Sequence, residues 1–226
     1  MMILPMMILG VINMIDKNKN IEEFENLYNK YILPREGGDR LLTFIRQSDF
    51  YTAPASTRFH LSEEGGLLQH SLNVYHCLMN KMDNPTWAGV LKNNEWEIAT
   101  VALLHDLCKT YFYEKDFRNQ KTYDADKVNS AESWKVKSDS KGKFIWEEVP
   151  SYSYNNKFPL GHGAKSVFFI QQFMKLSMEE IACIYWHMGA YCGSDQWSEL
   201  GNAYEKYPLA LALHEADMEA SHLLEI

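Results

Sequence analysis

Apolar residues recur along most of the chain at helical spacing rather than in strand alternation. Ile21, Phe24, Leu27, Tyr28 and Tyr31 form the first stripe, which Pro34 stops, and Asn20 followed by Glu23 reads as a capping box at its start. Gly37-Gly38-Asp39 opens a second helix carrying Leu41, Leu42, Phe44 and Ile45, and Tyr51 to Thr57, with Pro54 and small residues, reads as a loop. From Gly65-Gly66 to about Met82 the pattern is apolar nearly all round, which predicts a central helix. His70 lies on that helix on the same face as Leu67 and Val74, where a polar group needs a partner.

Asn93 to Lys109 predicts the next helix, with Trp96, Ile98, Val101, Ala102 and Leu104 on its buried side. It ends abruptly in His105-Asp106-Leu107-Cys108-Lys109. Burying an imidazole and a carboxylate beside an apolar run is costly unless something compensates them, and a divalent cation does so. Successive helical residues point about 100° apart, so both reach one ion only if it sits beside the helix. The plainer reading is a local His–Asp hydrogen bond at a helix end whose dipole favours Lys109.

Between Tyr111 and Pro159 the chain turns to Lys, Asp, Ser and aromatics. Ser138 to Gly142 is a polar turn between Trp134–Lys137 and Lys143–Trp146, a β-hairpin signal that predicts an insertion over one end of a helical body. Trp134, Phe144 and Trp146 read as the hairpin's own cluster rather than the lining of a substrate mouth. Beyond it, His162 stands at a helix start, and Ser177 with Glu180 forms a second capping box on a helix that runs to His187. Pro208 begins the last helix, Leu209 to Leu224, on which His214 and Asp217 share a face.

Composition narrows the function. The 226 residues are 46% hydrophobic, enough for one substantial core, and residues 14–226 read as a single domain. A net charge of −8 argues against a broad phosphate-binding surface, so it favours a small substrate over long nucleic acid, and an acidic ligand would need a metal. Four cysteines without a C-x-x-C pair suit reduced thiols in a cytoplasm. Met1 to Asn13 is apolar, lacks a preceding positive charge and is too short to span a bilayer; it reads as a leader or start-site artefact.

His70, His105, Asp106, His162, His187 and Asp217 fall on five predicted helices or helix starts, each in an apolar setting. Converging on one or two divalent ions would satisfy them all, and imidazole with carboxylate suits Mn, Fe, Co, Ni, Zn or Mg. The order His70, His105-Asp106, His162, His187, Asp217 resembles the H…HD…H…H…D pattern of the HD-domain metal-dependent phosphohydrolases, over about Ser56 to Ser221. Gly65 to Leu72, Leu103 to Lys109 and His60 resemble especially the branch containing the bacterial HD-type 3′-to-5′ exoribonucleases.

The resemblance implies an all-α HD-domain bundle, here with a small β-hairpin insertion. In it His70, His105, Asp106 and Asp217 hold one metal, His162 and His187 hold a second, and Asp106 bridges. It further implies a phosphohydrolase that cleaves a phosphomonoester or phosphodiester of a nucleotide or short oligonucleotide with a metal-activated water, Lys109 contacting the phosphate. Arg58, His60 and Lys165 are candidates for further substrate contacts. His214 is expected to orient Asp217, and His76 and His222 to be structural. Cys108 stands where many relatives have glycine. Two other classes share these ligands: a non-catalytic nucleotide- or metal-sensing module, and an oxygen-dependent di-iron enzyme.

Overall fold

The computed structural model describes residues 15–92 and 94–225, so the apolar leader lies outside the described residues. Among these, ten α-helices surround one continuous core, and a three-stranded sheet stands at one side. No helix among them is long and apolar enough to cross a membrane.

Helix α1 (Lys17–Tyr31) starts earlier than the pattern predicts, because the Asp16 side chain accepts from the Lys19 amide and caps it. Asn20 is therefore inside the helix and buried, where its side chain donates to Gln69 at 2.8 Å. Helix α2 (Gly38–Gln47) follows, entered through Gly37 at φ +84°. Helix α3 (Gly66–Met82) is central, touching α1, α5 (Glu95–Leu104) and α10 (Pro208–Glu219). The short α4 (Pro85–Ala88) lies between α3 and α5. In α5 every residue from Ile98 to Leu104 is buried, whereas Trp96, expected on the buried side, is part exposed under the Arg35 guanidinium.

The predicted helix to Lys109 does not run through. It ends after Leu104, and Leu107–Lys109 forms a single 3-10 turn. The last helix also ends early: α10 gives way to a π-helical turn, Ala220–Leu224, whose chain curls so that Glu225 donates its amide to the Ala220 carbonyl.

The insertion is larger than a hairpin. Strand β1 (Tyr113–Thr122) pairs antiparallel with β3 (Gly142–Tyr154) from Tyr113↔Tyr154 to Thr122↔Ile145, and β2 (Lys137–Asp139) pairs only with the start of β3. Pro150 is tolerated opposite Phe117 because β2 does not reach that part of β3, leaving one edge without a partner strand. Helix α6 (Ala125–Ser130) covers β3. Phe144 is buried against Tyr123 and Trp146, while Trp134 is 72% exposed and outside that cluster.

Helices α7 (His162–Gln171), α8 (Met178–Trp186) and α9 (Trp197–Lys206), the last unpredicted, complete the body. The Ser177/Glu180 capping box is present, and the buried Glu180 also accepts a bidentate pair from Arg35.

Candidate metal centre and its cavity

Five elements bring their ends or central turns to one place. Helix α3 supplies His70, the break after α5 supplies His105 and Asp106, the first residue of α7 is His162, the residue after α8 is His187, and α10 supplies Asp217. The break matters: His105 is the last residue with helical backbone, and Asp106 departs from it at φ −104° and ψ 19°. Both side chains then reach one place, His105 Nε2 lying 3.5 Å from Asp106 Oδ2.

Three imidazoles have their Nδ1 atoms committed. His105 Nδ1 donates to the Ala102 carbonyl at 2.8 Å, His187 Nδ1 to the Ile184 carbonyl at 2.7 Å, and His70 Nδ1 faces both Glu225 oxygens at 3.1 Å. Each ring therefore turns Nε2 toward the shared space. The Nε2 atoms of His70 and His105 are 3.3 Å apart, the spacing of two nitrogens on a tetrahedral ion at about 2.0–2.1 Å. Among the described residues, two buried side-chain nitrogens have no hydrogen-bond partner, and they are His187 Nε2 and His60 Nε2.

Asp106 divides its oxygens. Oδ2 faces His70 and His105 at 3.6 and 3.5 Å, while Oδ1 faces His162 at 2.5 Å and His187 at 3.7 Å. Asp217 Oδ1 lies 3.2 Å from His70 Nε2, and Asp217 also groups with His105 and His187. These donor sets fit one or two divalent ions.

Opposite charges face one another throughout the site, with Lys109 Nζ against Asp106. Burial opposes ionisation of Asp106, but Lys109, His105 and His162 outweigh it and hold the carboxyl well below the usual range. Burial likewise opposes charge on His70, yet Asp217 and Glu225 raise it to about 10. His187 is raised by Asp106 against burial; His162 is lowered because burial wins there, and burial brings His60 down to about 4.

Comparison with protein-family models, with curated proteins and with solved structures returns no match. The chemistry of the site rests on its own geometry.

The donors open on a cavity of about 790 Å³, within the range of small-ligand sites. Lys109 faces it with Nζ 2.6 Å from Asp106 Oδ2, and His60 lines it with its ring 5.1 Å from that of His70. Two predicted contacts are elsewhere. Arg58 is exposed and lies over the Phe59 ring, outside the cavity. Lys165 is buried, donates to Asn156 at 2.6 Å and faces a separate, smaller cavity behind Phe112.

His214 does not orient Asp217. Its Nδ1 donates to the His187 carbonyl at 2.7 Å, and its ring fills the space beside Gly189, where a Cβ would meet it at 2.4 Å. His76 pairs with Glu23 on the surface, but His222, expected to be structural, lines the cavity.

Glu225 and the aromatic mouth carry no signal in the sequence, and Cys108, singled out there only as standing in place of a glycine, packs against a candidate ligand. Glu225 braces His70 from one turn beyond the last helix, a place with no periodic signal. Cys108 Sγ lies 3.3 Å from His162 Nδ1; burial pushes its thiol up to about 12, so it is not an activated nucleophile. The cavity mouth is aromatic, lined by Phe59, Phe112, Tyr191 and the Tyr113–Tyr154 pair at the root of the sheet rather than by Trp134, Phe144 or Trp146.

Proposed function

We propose that the protein is a metal-dependent phosphohydrolase of the HD-domain type, acting on a phosphomonoester or phosphodiester bond of a nucleotide or short oligonucleotide. The observation that carries this reading is the set of three buried imidazoles, each with Nδ1 committed and Nε2 turned toward two carboxylates. His70, His105, Asp106 and Asp217 would hold one cation, and His162 and His187, with Asp106, a second. When bound, such ions activate water and neutralise charge developing on the phosphoryl group.

The remaining work falls to the chain's own residues. Lys109 neutralises Asp106 and faces the cavity, from where its ammonium can meet a phosphate oxygen. Phe112 and Tyr154 stack at 5.6 Å with 10° between their planes, and the exposed Phe59 and Tyr191 stand at the same mouth, offering flat apolar surfaces to a nucleobase. His60 Nε2, which has no hydrogen-bond partner and lies 3.9 Å from Glu225 Oε2, stands beside His70 for a polar group of the substrate. The net charge of −8 suits a substrate with few phosphates.

The test is reconstitution of metal-free protein with each candidate cation, followed by incubation with nucleoside monophosphates and short oligonucleotides. Turnover lost on chelation and restored by one transition metal, but not regained by Asp106→Ala, is the expected result. Full turnover in excess chelator overturns the metal reading. A nucleotide bound tightly and recovered unchanged overturns hydrolysis in favour of a sensing module.

A further inference from the structure

We infer that the smaller cavity behind Phe112 is a second ligand site, one that takes a small aromatic carboxylate with its anion on Lys165 and its ring among phenylalanines. None of the donors of the metal centre lines it, so this inference stands or falls independently of the metal reading.

The cavity measures about 310 Å³, at the lower end of small-ligand sites. Its lining is dominated by rings. Phe44 stacks with Phe173 at 5.0 Å and 28°, Phe158 stacks with Phe169 at 6.1 Å and 14° and tilts against Phe168 at 5.0 Å, and Phe112 lines this cavity as well as the larger one. Phe158 and Phe168 are part exposed, so ring surface remains open to an incoming flat body, which gains from edge and face contacts with them.

Lys165, in the first turn of α7, supplies the charge. It is buried, yet among the described residues it forms no ion pair: Nζ donates to the Asn156 side-chain oxygen at 2.6 Å and lies over the Phe112 ring at 4.9 Å. An ammonium has three N–H donors, so one is left for a ligand. A cation buried without an anion is costly, and a carboxylate in the cavity removes that cost. Among the described residues no acidic side chain lines the cavity to do so; Glu114, on the neighbouring strand β1, is engaged by Asn155 at 2.9 Å and Lys157 at 3.8 Å.

The two buried lysines of this region differ in just this respect. Lys109 has the Asp106 carboxylate at 2.6 Å, whereas Lys165 has an amide oxygen and a ring. One ammonium matches one negative charge. A phosphate brings up to two charges and three strong acceptor oxygens, more than a single lysine satisfies, so the cavity favours a monocarboxylate. Lys157, exposed at the rim, adds attraction for an anion on approach.

The test is calorimetric titration of the full chain with naphthoate, beside the uncharged naphthamide. The expected result is saturable binding of the acid, weakened about tenfold or more for the amide and in Lys165→Met. Because Lys165→Met changes a buried position and can impair folding, Phe168→Ala, at a mouth residue 43% exposed, provides a second variant that should also weaken binding. Lys109→Met, which alters the metal cavity, should leave it unchanged. Equal affinity for acid and amide overturns the anion site, and so does an affinity that neither Lys165→Met nor Phe168→Ala lowers. Binding lost in Lys109→Met but kept in Lys165→Met places the probe in the metal cavity and overturns the proposal, as does the absence of saturable binding to the native chain.

Discussion

The Glu225 carboxylate faces His70 Nδ1 and accepts from Asn73 at 2.8 Å, fixing the ring that turns Nε2 toward Asp217. Glu225→Gln keeps the shape and removes the charge, so it should weaken metal binding about 10–100-fold while the fold persists. A competitive chelator titration measures this, and unchanged affinity would remove Glu225 from the support of the site. The histidines also set a pH signature for the metal-free protein. His60 and His162 have lowered pKa values, so below about 6.5 the unfolded chain binds more protons and stability rises with pH. His70, raised to about 10, and His187, also raised, contribute fully below about 6.5 and lose that contribution as pH climbs through their folded values. The metal-free Tm should therefore peak near pH 6.5, and a flat profile from pH 5 to 9 would contradict the assignment.

Elements meet closely where the donors converge. Gly163, in the first turn of α7, lies so near the end of α8 that a Cβ would come 2.2 Å from the Tyr185 carbonyl oxygen. Gly163→Ala must push the two helices apart, and with them His162 from His187. We expect a loss of about 1–3 kcal/mol in urea unfolding together with fewer bound metals per chain; retention of both would show that the helices can relax without moving the site. Helix cores could be read from the sequence because apolar spacing is a local property, as the stripe Phe24–Tyr28 and the all-apolar α5 illustrate. Their ends were harder. The break after Leu104 and the π-helical turn at Ala220 come from tertiary demands on His105, Asp106 and Glu225, for which no residue nearby carries a breaker signal. β1 was missed because nearly all of Glu114 to Gln120 is exposed and polar, so its pairing with β3 leaves little hydrophobic alternation.

For the whole molecule, metal binding and folding are linked, because the donors come from α3 through α10 and assemble only in the folded chain. A cation at about one hundred times its Kd should add about 2.7 kcal/mol. For a chain of this length that is a rise in Tm of about 5–10 °C, removed by chelation. Calorimetry with and without chelator checks it, and coincident transitions would mean that the ring nitrogens form only a hydrogen-bonded network.

The chemistry legible along the chain is local: which residues are too polar for the apolar stretches that contain them, and so which ones need a common partner. His70, His105, Asp106, His162, His187 and Asp217 stand out for that reason, since burial of each alone is costly. Direction and company come from contacts between elements. Packing turned three Nε2 atoms inward by committing each Nδ1, split the oxygens of Asp106 between two sets of rings, sent Arg58 and Lys165 away from the cavity, set Cys108 against His162, and brought Glu225 to the cavity wall. Those outcomes depend on where helices end and which backbone atoms they leave free, and contacts between residues distant in the chain set both.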